Sequence, residues 1–173
     1  MCNSPSGIPN HNNRLIFVTG YFGAPILEIA EDIARQEGMD LLILDRAIEK
    51  KDGRSIRKIC MAGGEHGYRN LECEAVQELS TRPESARGLV VACGDGILYD
   101  EMTRDLILEH ELIIAGEDMS LSKLWKGALE DQKTWHAFML FGSEEEKRRS
   151  FEKYHERQRE LFRQVRSLQD SSK

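Results

Sequence analysis

The stretch Gly20-Tyr21-Phe22-Gly23-Ala24-Pro25-Ile26-Leu27 follows an apolar run, Leu15-Ile16-Phe17-Val18, and precedes a segment with helical spacing of apolar residues. A glycine-bearing turn between a strand and a helix can cradle phosphate oxygens with its backbone N–H groups. A lysine then neutralises the charge, and a Ser or Thr hydroxyl helps to hold magnesium. This stretch begins in that way but carries neither lysine nor hydroxyl. Two other places have the residue types for chemistry at the end of an apolar run: Asp45, closing Asp40-Leu41-Leu42-Ile43-Leu44-Asp45, and the turn Gly94-Asp95-Gly96 after Leu89-Val90-Val91-Ala92-Cys93.

These residues need a frame to bring them together. The continuous apolar runs, including a fourth at Glu111-Leu112-Ile113-Ile114-Ala115-Gly116, read as strands buried on both faces. Helical spacing fills the intervals: Ile26 to about Gly38, with Pro25 at its start and Glu28, Glu31 and Asp32 early, then Ile56 to Met61, Tyr68 to Leu79, Tyr99 to Glu109 and Leu121 to Leu129. Strand and helix in alternation predict a parallel α/β sheet with right-handed crossovers. Ligands of such sheets bind beyond the carboxyl ends of the strands, which is where residues 20–24, Asp45 and residues 94–96 fall.

Composition narrows the function classes. The 173 residues suit one compact domain, and no apolar run approaches the roughly 20 residues of a membrane span. A net charge of -6 argues against a nucleic-acid surface, which needs a clustered positive field. Residues 1–13 are polar and rich in turn formers, without the apolar core of a secretion signal, so they read as a loose tail and the expected address is the cytoplasm. Cys2, Cys60, Cys73 and Cys93 form no CxxC pair, and the last three read as small buried hydrophobes.

The remaining chain divides into an α/β domain, residues 14–142, and a charged helix, residues 143–173. In that helix Phe151, Tyr154, Leu161, Val165 and Leu168 form an apolar seam interrupted by Gln158. The seam suits packing on the chain's own domain, or a partner or dimer helix.

The middle of the chain resembles shikimate kinase. Residues 44–79 carry, in register, an acidic residue after the second strand, then Ile48-Glu49, Gly53-x-Ser55-Ile56, Gly64-Glu65 and Tyr68-Arg69-x-x-Glu72. Residues 14–38 and the stretch from Val90 to Ile107 are similar to the family's phosphate-loop segment and its triple-glycine turn, so that the likeness covers about residues 14–116. The resemblance implies a three-layer P-loop-kinase-like α/β fold, a parallel sheet flanked by helices with a C-terminal helical extension. The implied reaction is transfer of the terminal phosphoryl group of ATP to a hydroxyl of shikimate, within aromatic amino-acid biosynthesis.

Measured against that pattern, the departures gather on the ATP side. Gly20 stands, with Gly23 as a vestigial turn glycine, but Pro25, Ile26 and Leu27 occupy the last three places of the phosphate motif, removing a donor N–H, the cation and the metal ligand. Ile43 replaces the metal-side carboxylate of the strand-end pair. The lid stretch around His136 lacks an arginine, leaving His136 as a weak substitute or a packed histidine.

The acid-substrate side is better kept. Asp45 matches the carboxylate that binds hydroxyls and, in an active member, receives a proton. Arg69 has the planar fork for a bidentate grip on a carboxylate, and Glu72 lies one turn on to orient it. Gly94 and Gly96 keep two of three turn glycines, whereas Asp95 would repel an anionic ligand unless it points away. Gln158, flanked by Arg157 and Arg159, falls where the family has a late arginine, and the family's fifth strand has no clear counterpart.

Three readings remain open on the sequence. The first is a chain deficient in phosphotransfer that keeps part of a pocket for shikimate or a related hydroxy acid, a small carboxylate or polyol ligand, and needs no cofactor. The second is an active kinase with a non-standard loop, using ATP and magnesium, for which Arg14 and Arg46 are the only nearby cations. The third is an interaction scaffold engaged through its terminal helix.

Overall fold

The computed structural model describes residues 14–81, 87–131 and 136–171; the tail, residues 1–13, lies outside them. Four strands, β1 (Leu15–Gly20), β2 (Asp40–Ile43), β3 (Leu89–Ala92) and β4 (Glu111–Ala115), form one sheet in the order β2-β3-β1-β4, all parallel. The register aligns Val18 with Ala92 and Ile113, and Ile43 with Ala92, so the carboxyl ends of β1, β2 and β3 finish side by side.

Side chains on a strand alternate between faces, and two packed layers result. Ile16, Val18, Val90 and Ala92 face Ala30 and Ala34 of α1 (Ile26–Glu37), while Leu15, Phe17, Leu89 and Val91 belong to the larger core on the other face. Burying each of the larger side chains stabilises the fold by about 1.5–3 kcal/mol, which makes the sheet the rigid part of the frame.

The second strand is shorter than its apolar run. Extended backbone ends at Ile43, and α2 (Leu44–Asp52) begins at once, so Asp45 sits in the first turn of a helix and not at the end of a strand. The two helices expected at residues 56–61 and 68–79 are both present within α3 (Ile56–Thr81), which breaks at Gly64, whose non-helical φ of 67° and ψ of -178° suit glycine. A short 3-10 turn, Ile97–Tyr99, precedes α4 (Glu101–Leu108), which is capped by the Asp100 carboxylate accepting from the Thr103 N–H. α5 (Leu121–Glu130) and the single turn α6 (Ala137–Leu140) follow. Cys93 is buried as expected, but Cys60 and Cys73, both on α3, are only half-buried.

α7 (Glu144–Ser171) opens with a reciprocal cap: the Ser143 N–H donates to Glu146 at 2.7 Å, and the Glu146 N–H donates to the Ser143 hydroxyl. Phe151, Tyr154, Gln158, Leu161, Phe162 and Val165 are buried against the domain, while Leu168 stays 48% exposed. Phe162 meets Tyr21 edge-on and Phe151 meets Trp125 of α5. The long helix therefore lays its seam over the turn that follows β1.

Candidate functional site

A cavity of about 620 Å³ opens at the carboxyl ends of β1, β2 and β3. Its lining draws on the turn and first residues of α1 (Tyr21 to Glu28), on Ile43 and Asp45, on residues 92–95, on one face of α5 and on His136. Volumes of this size hold small-molecule ligands. Asp45, Gly23 and Gly94 line it, as does Asp95, whereas Arg69 does not.

The turn after β1 has the outline of a phosphate loop, and four of its N–H groups donate within the chain. The Tyr21 N–H donates to the Ala115 carbonyl, Ala24 N–H to Tyr21, and Ile26 N–H to Ala24, at 2.9–3.0 Å. The Phe22 N–H donates to the Oε1 of Gln158 at 3.0 Å. On its outer side the turn lies directly on α5: a Cβ on Gly23, whose φ is 90°, would collide with the Leu124 carbonyl, and one on Gly127 with the Gly23 carbonyl. Those two glycines are the condition for that backbone contact.

Gln158 is buried and reaches three segments. Its Nε2 donates to the Asp95 carbonyl at 3.0 Å and lies 3.4 Å from the Gly20 carbonyl, while its Oε1 receives Phe22. The same amide thus ties the turn after β1 to the turn after β3. Its signal in the sequence was the polar break in an apolar helical seam.

Asp95 points inward. Its carboxylate accepts from the Tyr154 hydroxyl at 2.7 Å and pairs with His136 Nε2 at 3.0 Å, and its side chain is only 13% exposed. Burial alone pushes this carboxyl up, but the charge and hydrogen bond of His136, the Tyr154 hydroxyl and the charge of Arg69 together hold it below the usual carboxylate range. His136 is a packed histidine, its ring tilted against those of Phe22, Phe138 and Tyr154 at centroid distances of 4.4–5.3 Å.

On the neighbouring wall the Tyr68 hydroxyl donates to Asp45 Oδ1 at 2.5 Å. Burial raises the Asp45 carboxyl, the Tyr68 hydrogen bond opposes it, and the charges of Asp95 and Glu49 add to it. Arg69 lies buried behind this wall, its guanidinium donating to Glu72 at 2.5 Å and to Glu65 at 3.0 Å. Burial pushes Glu72 up to about 7 against the opposing pull of Arg69. The guanidinium rests on Gly96, where any Cβ would collide with it, which accounts for that glycine by close approach.

Two cations that the sequence reading did not single out, Lys123 and Lys126 of α5, line the cavity across from the turn. Lys126 is 77% exposed and 3.9 Å from Glu130. Their signal was helical phase: three residues apart, they share a face. Arg14, by contrast, lies at the opposite end of β1, paired with Glu37 and Glu111, and Arg46 is exposed and outside the lining. Among the described residues no group of three His, Cys, Asp or Glu side chains is placed to hold a metal ion, and no helix is long and apolar enough to cross a membrane.

Residues 28–171 match the family model described as shikimate kinase. The shikimate kinase of Chlorobium limicola is 36% identical over 103 residues, 60% of this chain and 50% of that protein. That of Bacillus cytotoxicus is 31% identical over 101 residues, 58% of each. The chain thus spans about half the length of the curated relatives it matches. Among solved structures, shikimate kinase from Acinetobacter baumannii in complex with shikimate aligns with a TM-score of 0.75 at 21% identity, over 90% of this chain and 81% of that one. The Bacteroides thetaiotaomicron enzyme gives 0.71 at 18%, over 87% and 82%. The parallel sheet flanked by helices is the same fold.

Proposed function

Because this chain belongs to the shikimate kinase family, we propose that it is a member deficient in ATP phosphoryl transfer that retains the hydroxyl-binding part of a pocket for a small cyclic polyol ligand. The observation that carries the reading is the turn after β1. Phosphoryl transfer depends on positioned donors and on neutralised charge. Here the N–H groups of Tyr21, Phe22, Ala24 and Ile26 are engaged inside the chain, and Pro25, Ile26 and Leu27 offer no N–H, cation or hydroxyl at the motif places. Magnesium does not fit this donor set either, since Leu27 and Ile43 stand where oxygen ligands would be needed. The reading therefore assigns the chain no cofactor.

What the pocket keeps is Asp45, which lines the cavity and accepts from the Tyr68 hydroxyl, and Gly94 beside it. A carboxylate so placed accepts hydrogen bonds from ring hydroxyls. Calorimetric titration with Mg-ADP, with shikimate and with its carboxamide tests the reading. Binding of either ring ligand with no heat from millimolar Mg-ADP supports it; micromolar Mg-ADP binding refutes it.

Lys123 and Lys126 favour one second reading, an active kinase with a non-standard phosphate site in which α5 supplies the cations the loop has lost. Their exposure and the Lys126–Glu130 pair weaken that case, because solvated lysines neutralise a transferring phosphoryl group poorly.

A further inference from the structure

The charges of the cavity select among the ligands that the proposed function leaves open. Five carboxylates line it, those of Glu28, Asp45, Asp95, Glu130 and Asp131, against two lysines, both on α5, and His136, which pairs with Asp95. On the inner side, where β2 and β3 end, the cavity's fixed charges are Asp45 and Asp95. The nearest guanidinium, Arg69, is outside the lining and already donates to Glu72 and Glu65.

Asp95 is not turned away to solvent. Tyr154 and Gln158 of α7, together with His136, which itself lines the cavity, hold it at 2.7–3.5 Å, which fixes the carboxylate in place while Asp95 still borders the cavity. An anionic group entering here meets two fixed carboxylates in a poorly screened setting. A hydrogen-bond donor meets two acceptors.

We propose that Asp95 is a specificity-determining residue, and that the cavity takes a neutral or amine-bearing cyclic polyol whose donor group faces Asp95, and excludes the corresponding carboxylic acid. The assignment rests on the reading of the cavity as a polyol site and adds the sign of the group it accepts. Asp45 receives ring hydroxyls, and Asp95 reads the substituent where an acid would put its charge. His136 Nε2 contacts both carboxylate oxygens, at 3.0 and 3.2 Å, which lowers the net repulsion, and the remaining lone pairs of the carboxylate still accept from a donor.

The test is a pair of isosteric ligands, shikimate and shikimate carboxamide, titrated into the wild-type chain and into Asp95→Asn. Asn keeps the shape and the contacts to Tyr154 and Gln158, and Asp95→Gly serves as a second variant should Asn disturb folding. The wild type is expected to bind the carboxamide at least about tenfold more tightly than the acid, a difference of about 1.4 kcal/mol. In the variants that preference is expected to fall below about threefold. Equal or tighter binding of the acid by the wild type, or an unchanged preference in the folded variants, overturns the role of Asp95 while leaving the polyol site standing. Binding of neither ligand by any form overturns the polyol site itself, and this inference with it.

Discussion

The backbone N–H of Phe22 and the side-chain Oε1 of Gln158 are 3.0 Å apart and separated by 136 positions of sequence. A backbone donor in the turn after β1 is thereby committed to a helix near the other end of the chain. The same amide donates to the Asp95 carbonyl, so one side chain ties together the two turns that frame the cavity.

Replacing Gln158 by Ala removes both bonds and leaves a buried N–H unsatisfied. The expected loss is about 1–3 kcal/mol of stability, read as a lower denaturant midpoint at unchanged slope. A loss under about 0.5 kcal/mol would show that the turns are held by their packing on α5 instead.

Gly127→Ala places a methyl against the Gly23 carbonyl, backbone against backbone. With no flexible side chain to give way, overpacking of about 1–3 kcal/mol is expected, together with altered near-ultraviolet signals from Trp125. Wild-type stability in this variant would mean that α5 can slide without cost.

Acid sensitivity is expected from Asp95. Its carboxyl is held below the usual range, so the folded state binds this proton less readily than the unfolded chain does. The stabilisation is present above the unfolded carboxyl pKa, about 3.9, and is lost as pH falls through the lower folded value. Asp95→Asn should therefore flatten the acid limb of the stability curve below about pH 4, while a parallel curve in the variant would assign that limb to other carboxylates.

Installing Gly, Lys and Ser at Pro25, Ile26 and Leu27 is expected not to restore phosphoryl transfer. The Phe22 donor remains with Gln158, Ile43 still lacks a carboxylate, and the cavity keeps its excess of negative charge. Turnover within a hundredfold of an active family member would show that the loop alone limits activity.

The frame was legible because strands buried on both faces leave continuous apolar runs, as Leu15-Ile16-Phe17-Val18 and Leu89-Val90-Val91-Ala92 do. The losses at Pro25, Ile26 and Leu27 were legible because they fall at fixed offsets from Gly20. Placement of Asp45 in α2 was not, because the apolar run continues through Leu44 after the strand's hydrogen bonds have ended. The inward turn of Asp95 was equally hidden. It depends on His136, Tyr154 and Gln158, which lie 41, 59 and 63 positions away, and no local pattern reports contacts of that range. Arg69 shows the complementary case: its motif was plain, but only the packing reveals a guanidinium engaged by two glutamates behind the cavity wall.

The central claim is tested most directly by incubating the purified chain with γ-labelled ATP, magnesium and shikimate, and with the carboxamide in a parallel reaction, then resolving labelled product by chromatography. No labelled product above the enzyme-free control is expected with either acceptor, even at micromolar protein over hours. Labelled product that grows in proportion to protein and disappears in Lys123→Ala/Lys126→Ala would contradict it and establish α5 as the phosphate site of an active kinase.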